Sequence, residues 1–558
     1  MVGPVSSTAA GLHSGNGPRL LTDLLDKAAR NHAARPAIDF FGRVWRYGEL
    51  ADMVARTARG LQDRGLRPGE RFGICLPNCP YFVVLYFAAL RAGATVVNIN
   101  PLYTESEIEH IVRDAGIGMV AVPDLAAVHG KVEALARRAA VTTIVVCEMA
   151  SMMPRLMGLG FTLLKRKDHA RITHAALHVG MRQLLATREK PTPVDQTAND
   201  LAVIQYTGGT TGVPKGAMLT HANLTANSAQ MRAHTKGLLP DRCTILGVLP
   251  MFHVFALTTV LNHSVDIAAE MVLLPRPEMP RMLKAIRRKP PTLMFVVPTM
   301  CVAINDLPDA DVPDLSGLRA CISGGAPLPL DVREVFEART GGKVVEGYGL
   351  SETSPIIACN PLVGRVKDNS CGLAFPGTVL EIRDPDNPAR RLPQGERGEV
   401  WARGPQVMKG YWQRGAETRD VLVDGALRTG DIGYLDSDGY LFLVDRIKDL
   451  ILCSGFNVYP RAIEDAAYQH PAIREAVAIG IPDRYRGQAP KLFVALHEGQ
   501  TLSEQDLCAF LGERLSKIEM PKHIEFRAAL PKTLIGKLSK KDLVAEEARK
   551  RGVKAAAA

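Results

Sequence analysis

The sequence lacks an uninterrupted apolar run near the roughly 18 residues of a membrane-crossing helix. Tyr81–Leu90 stops at Arg91, and Met294–Ile304 is broken by Pro298. It lacks paired cysteine motifs: the ten cysteines are scattered, with no CxxC, and Cys75 and Cys79 are the nearest two. That pattern argues against a disulfide framework or a zinc site and points to a reducing compartment. Residues 1–18 have no basic n-region and no apolar h-region, so they do not read as a secretory signal. Small, polar and Gly-rich, they read as a disordered leader. No internal repeat is visible. What remains is ordinary globular composition, 46% hydrophobic and 23% charged, which excludes a fibrous or wholly disordered chain. The length of 558 residues suggests about two to four domains.

The net charge of +10 is local. Val145–Lys190 holds eight Lys/Arg against three Asp/Glu, and Pro531–Ala558 holds the same numbers. Neither stretch interleaves aromatics or carries a nucleic-acid module, so nucleic acid is not an expected partner. A solvated face, a phosphate-rich ligand or an anionic lipid surface remains. The segment MMPRLMGLGFTLLKRK (152–167) mixes Met, Leu and Phe with Arg155 and Lys165-Arg166-Lys167. That composition suits peripheral contact with an anionic membrane, with a surface excursion packed on its own domain as the alternative.

From about residue 20, short apolar strands alternate with amphipathic helices. RFGICLPN (71–78), ATVVNINP (94–101), LAVIQYT (201–207), TILGVL (244–249) and LMFVV (293–297) read as strands. PYFVVLYFAALRAG (80–93) reads as a buried helix. This rhythm predicts parallel sheets covered by helices, an α/β fold. After about 370, alternating strands with Gly turns suggest a smaller, mostly antiparallel region, and after Asp445 a compact tail begins.

The sharpest motif is YTGGTTGVPKG (206–216): four glycines, three threonines and Lys215 after a strand, with a helix starting near Thr220. Backbone N–H groups in such a loop can approach polyphosphate oxygens closely. It is not a Walker A loop, because Lys215 lies between Pro214 and Gly216.

This motif resembles the phosphate-binding signature of the adenylate-forming superfamily: acyl-CoA synthetases, adenylation domains and luciferases. Further elements follow in the family's order: LPMFH (249–253), SGGAP (323–327), EGYGLSET (346–353), RTGD (428–431), VDR (444–446), SGFN (454–457) and PKTLIGK (531–537). The resemblance spans about 20–545 and implies a large N-terminal domain (19–446) with two stacked βαβ-type sheets and a β-rich part from about 370. A small mobile α+β C-terminal domain (447–558) would hinge at Lys448.

The resemblance also implies roles. Thr207, Gly208, Gly209, Thr210, Thr211, Gly212 and Lys215 would bind ATP phosphates. Gly324, Gly325, Ala326, Tyr348, Gly349, Ser351 and Thr353 would also bind ATP, with Gly324 and Gly325 letting the backbone approach the purine edge and Tyr348 offering a face for stacking on adenine. Asp431 and Arg446 would hold the ribose or phosphates, although from spacing alone they could be a surface pair. Glu352, with Thr207, would bind Mg²⁺, a hard cation that takes oxygen ligands. Lys537, His253 and Glu352 would be catalytic, with Lys537 neutralising charge at the α-phosphate. Lys448, Ser454 and Gly455 would serve the swivel that presents CoA.

Within the family, no acid follows His253 until Asp266, so nothing is ready to pair an amine, and an uncharged acyl substrate is favoured. NPLYT (100–104) and DGALRTGDIGYLDSDGY (424–440) look most like bacterial long-chain fatty-acid–CoA ligases. The expected substrates are a fatty acid, ATP and CoA, in the cytoplasm or peripherally at the inner face of a membrane. A medium-chain or aryl acyl-CoA ligase, a fatty-acyl-AMP ligase loading a carrier protein, and an inactive binding protein stay open. So does a homodimer.

Overall fold

The computed structural model describes residues 20–556 apart from 139, 173–175, 208–213, 455 and 534–536, with the backbone alone from 551 on. The leader assigned to 1–18 lies outside the described residues.

Two large sheets organise the N-terminal part. In one, the strands Pro36–Phe40, Glu270–Leu273, Thr244–Gly247, Leu293–Val296, Ala320–Ser323 and Val345–Gly349 lie side by side and parallel. Antiparallel strands close both its edges. The other is built on Leu201–Thr207, Thr95–Asn98, Arg71–Ile74, Ile117–Pro123, Thr143–Cys147 and His178–Gly180, again parallel. Successive side chains of these strands serve different cores, as a two-residue period requires. Val96 and Val203 enter the central core with Ile245, Phe295 and Ile322 of the first sheet. Val97 and Ile204 turn to a second core under the helices Glu105–Ala115 and Ala126–Arg137. The helix Pro80–Arg91 is apolar all round and buried from Pro80 to Leu90, so it lies inside the central core.

One element departs from the sequence reading. The last two residues of the Gly-rich motif begin a strand, Lys215–Thr220, that folds back antiparallel on Leu201–Thr207 before the helix His221–His234 begins. Thr220 caps that helix by accepting from the Asn223 N–H. Gly216 permits the hairpin: a Cβ there would meet Ile204 at 2.5 Å.

A third, antiparallel sheet contains Val379–Arg383, Gly398–Arg403, Ala426–Leu435 and Leu441–Arg446. A short 3-10 turn, Ile447–Asp449, leads to a fourth sheet of Ile451–Cys453, Phe456–Val458, Ile473–Asp483, Gly487–Leu496 and His523–Phe526. That last sheet has its own core around Ile451, Ile463, Ala478, Leu492 and Leu507. All ten cysteines are unpaired.

Candidate active site

The parallel strands of the first sheet deliver the site at their carboxyl ends, the usual ligand position in open α/β sheets. Ala320–Ser323 runs into Gly324, Gly325 and Ala326, and Val345–Gly349 carries Tyr348 and Gly349. Val345–Gly349 is followed by the turn Ser351–Thr353 that holds Glu352. The Thr353 hydroxyl donates to the Leu350 and Pro355 carbonyls and accepts from the Leu350 N–H, so it shapes this turn.

Tyr348 and Asp431 meet although 83 residues separate them: the buried phenol donates to Asp431 Oδ2 at 2.5 Å. Asp431 lies within the strand Ala426–Leu435, preceded by Gly430 at φ 72°. Antiparallel register sets it opposite Arg446, whose Nε pairs with Asp431 Oδ1 at 2.9 Å. Burial and the adjacent carboxylate push the Tyr348 phenol far above its ordinary range, which keeps it a donor. The Asp431 charge in turn raises Arg446.

Lys537, from the C-terminal part of the chain, reaches this cluster. Gly325 has φ +86°, and a Cβ on it would sit 2.7 Å from Lys537 Cε, so only glycine leaves room for the lysine stem. The Thr533 N–H donates to the Lys537 carbonyl at 2.6 Å. Burial first, and the Arg446 charge second, pull the Lys537 ammonium down to about 8, while Asp431 opposes the shift. His253 is pushed down to about 3 by burial and then by the Lys537 charge. It is therefore a neutral imidazole near pH 7, with Nδ1 accepting the Phe255 N–H at 3.3 Å.

In the turn after Val345–Gly349, Glu352 Oε1 accepts the Tyr411 hydroxyl at 2.7 Å, and Lys215 Nζ stands 5.3 Å from the Tyr411 ring centre. Thr207 Oγ1 is tied to the Lys215 carbonyl at 3.4 Å. Gly208, Gly209, Thr210, Thr211 and Gly212 lie outside the described residues, as does Gly455. Ser454 is exposed on the C-terminal sheet, where its N–H donates to the Arg486 carbonyl at 2.7 Å. Lys448 sits in the Ile447–Asp449 turn between the third and fourth sheets.

Several positioning residues were invisible in sequence. Asn78 donates to the Gly247 and Leu249 carbonyls and accepts the Met251 N–H, fixing the run into His253. Gln205 donates to the Phe252 carbonyl at 3.1 Å. Tyr411 orients Glu352. Their partners lie 47 to 173 residues away, and no local pattern marks such pairs. The GYW run at 410–412 was the one available signal.

The C-terminal basic patch carries ion pairs. Lys532 pairs with Glu475, Lys540 with Glu464, and Lys550 with Glu525, Glu546 and Glu547. Of these acids Glu464, Glu475 and Glu525 come from outside the patch and offset part of its charge.

Comparison with known proteins adds independent findings. A model of the AMP-binding enzyme family matches residues 25–412, and one of the AMP-binding enzyme C-terminal domain matches 462–537. A long-chain-fatty-acid–CoA ligase of Bacillus subtilis (strain 168) is 38% identical over 540 residues, 96% of either chain. One of Escherichia coli O6:H1 is 36% identical over 542 residues, covering 95% of this chain and 94% of its own. Among solved structures, ATP-bound MatB from Rhodopseudomonas palustris superposes with a TM-score of 0.78 at 28% identity, covering 94% of this chain and 98% of that one.

Proposed function

The chain belongs to the AMP-binding enzyme family, and we propose that it is an ATP-dependent long-chain fatty-acid–CoA ligase. A bare carboxylate is a poor electrophile. The acid oxygen would attack the α-phosphorus of ATP in line, expelling pyrophosphate and leaving acyl-AMP. The CoA sulfur would then bond to the acyl carbon and AMP would depart.

The observation that carries this reading is Lys537 seated on Gly325 beside Asp431, Arg446 and His253. A buried cation there offsets the charge that grows on the transferring phosphate. Asp431, held by Tyr348 and Arg446, retains lone pairs that can accept both ribose hydroxyls. Neutral His253 adds no charge that an apolar acyl chain would have to pass. The first acid after it, Asp266, is buried and paired with Arg232, so it is not free to meet an amine. The relatives named as long-chain ligases support a fatty acid in particular.

Mg²⁺ belongs to the same proposal. Among the described residues no group of three or more His, Cys, Asp or Glu could hold a metal unaided. A single oriented carboxylate, Glu352, fits a cation that takes most of its ligands from phosphate and water, with the Thr207 hydroxyl as a further oxygen. Bound there, Mg²⁺ would neutralise polyphosphate charge.

A lipid-borne substrate also favours peripheral contact with an anionic membrane. Among the described residues no helix is long and apolar enough to cross one.

The test is acid-dependent AMP release with ATP, with and without CoA, from acetate to stearate, with aryl acids and an amino acid as controls. The expected outcome is CoA-dependent turnover that is greatest with long saturated acids. Turnover confined to aryl or short acids, or acyl-AMP formation that CoA never discharges, would contradict the assignment.

A further inference from the structure

The helix Arg155–Leu164 inverts the usual pattern of a surface helix. Gly158 and Phe161 face the protein: a Cβ on Gly158 would lie 2.5 Å from the Ala150 carbonyl oxygen, and Phe161 packs against the central core. The large apolar residues point the other way. Leu156, Leu159, Leu163 and Leu164 are 86%, 59%, 66% and 87% exposed, and Met157 joins them. At 100° per residue these five side chains fill one continuous arc of roughly 160°. Exposed leucines scattered singly need no explanation, but a contiguous apolar face of this kind marks an interaction surface.

Charge identifies the partner. Arg155 opens the helix, Lys165, Arg166 and Lys167 close it, and Arg171 follows, against one acid, Asp168. Lys165 pairs with Asp168, while Arg155 at the start of the helix and Arg166, Lys167 and Arg171 beyond its end are exposed. Apolar side chains bordered by cations match a bilayer with anionic headgroups.

The helix is also rigidly mounted. Met149, Met152 and Met153, just before it, are buried in the central core. Ser151 Oγ lies 2.9 Å from the Tyr81 hydroxyl, and the Tyr81 N–H points to the Met152 sulfur. Tyr81 lies in the first turn of the buried helix that follows Asn78, the residue that fixes the run into His253. The apolar face thus stands on packing that continues to the run into His253.

We propose that the helix Arg155–Leu164 is the surface by which the protein lies on an anionic bilayer. Its leucines enter the acyl region, and Arg155, Lys165, Arg166, Lys167 and Arg171 meet the headgroup phosphates. This inference rests on the reading of a lipid-borne substrate and gives that reading its lipid-facing surface.

The test is co-sedimentation of the full-length protein with phosphatidylglycerol or phosphatidylcholine vesicles, with sedimentation velocity in lipid-free buffer alongside. The wild type should bind phosphatidylglycerol vesicles and release as salt rises. The triple variant Leu156→Ser, Leu163→Ser, Leu164→Ser should bind about 100-fold more weakly. Lys165→Gln, Arg166→Gln, Lys167→Gln should lose roughly 100-fold on phosphatidylglycerol alone. Both variants should keep wild-type turnover of a water-soluble medium-chain acid, because these side chains lie outside the site. Wild-type binding by the leucine variant would overturn the proposal. So would no binding by the wild type, or a self-association in lipid-free buffer that the leucine variant abolishes. Loss of turnover on every acid with vesicle binding intact would instead strike the ligase reading and leave the surface standing.

Discussion

Lys537 and His253 show how position changes chemistry. The lysine is held near pKa 8 by burial and by Arg446, without nucleotide. ATP phosphates favour the charged ammonium, so its pKa must rise when ATP binds. Between the two values, binding takes up a proton, and affinity falls by up to about tenfold per pH unit above 8. Calorimetric titration with ATP at several pH values, in buffers of different ionisation enthalpy, should show that uptake. Lys537→Met should remove it, and an unchanged pH dependence in that variant would contradict the assignment. The residue types of this cluster were readable because glycines and charged residues punctuate the motifs around them. Asn78, Gln205 and Tyr411 were not, because each acts on a backbone or carboxylate far away in the chain.

Among elements, two glycines of the site do different work. A Cβ on Gly349 would lie 1.9 Å from the Pro355 carbonyl oxygen, against backbone that cannot yield cheaply. Gly349→Ala should therefore destabilise the fold by about 1–3 kcal/mol, read as a lower Tm. A Cβ on Gly325 would instead meet the flexible stem of Lys537. Gly325→Ala should cost only about 1 kcal/mol through its left-handed backbone, yet impair acyl-AMP formation strongly. Equal Tm losses with equal activity losses would contradict this division. The alternation of strands and helices was plain in the sequence, since apolar runs and Gly or Pro breaks alternate cleanly. The strand Lys215–Thr220 was hidden: it is short, carries Gly216, and gains its identity from pairing with Leu201–Thr207.

At the scale of the molecule, the C-terminal part meets the body through named contacts. The Arg461 N–H donates to Asp445 Oδ2 at 2.7 Å, its guanidinium donates to the Leu443 carbonyl at 3.1 Å, and His497 lies 3.8 Å from Asp306. Lys537 is the part of that arrangement that enters the site, while Ser454 stays on the exposed face of the C-terminal sheet. We propose that this is the arrangement for acyl-AMP formation, and that a turn about Lys448 brings the Ser454 segment forward for CoA. The sequence order of motifs pointed to two such parts, but which of them occupies the site depends on contacts that only folding brings together. The most direct measurement compares the two half-reactions in Lys537→Ala: acid-dependent pyrophosphate exchange with ATP, and thioester formation from supplied acyl-AMP and CoA. The account expects exchange to fall by roughly 100-fold or more with thioester formation near the wild-type rate. Equal loss in both half-reactions would contradict it.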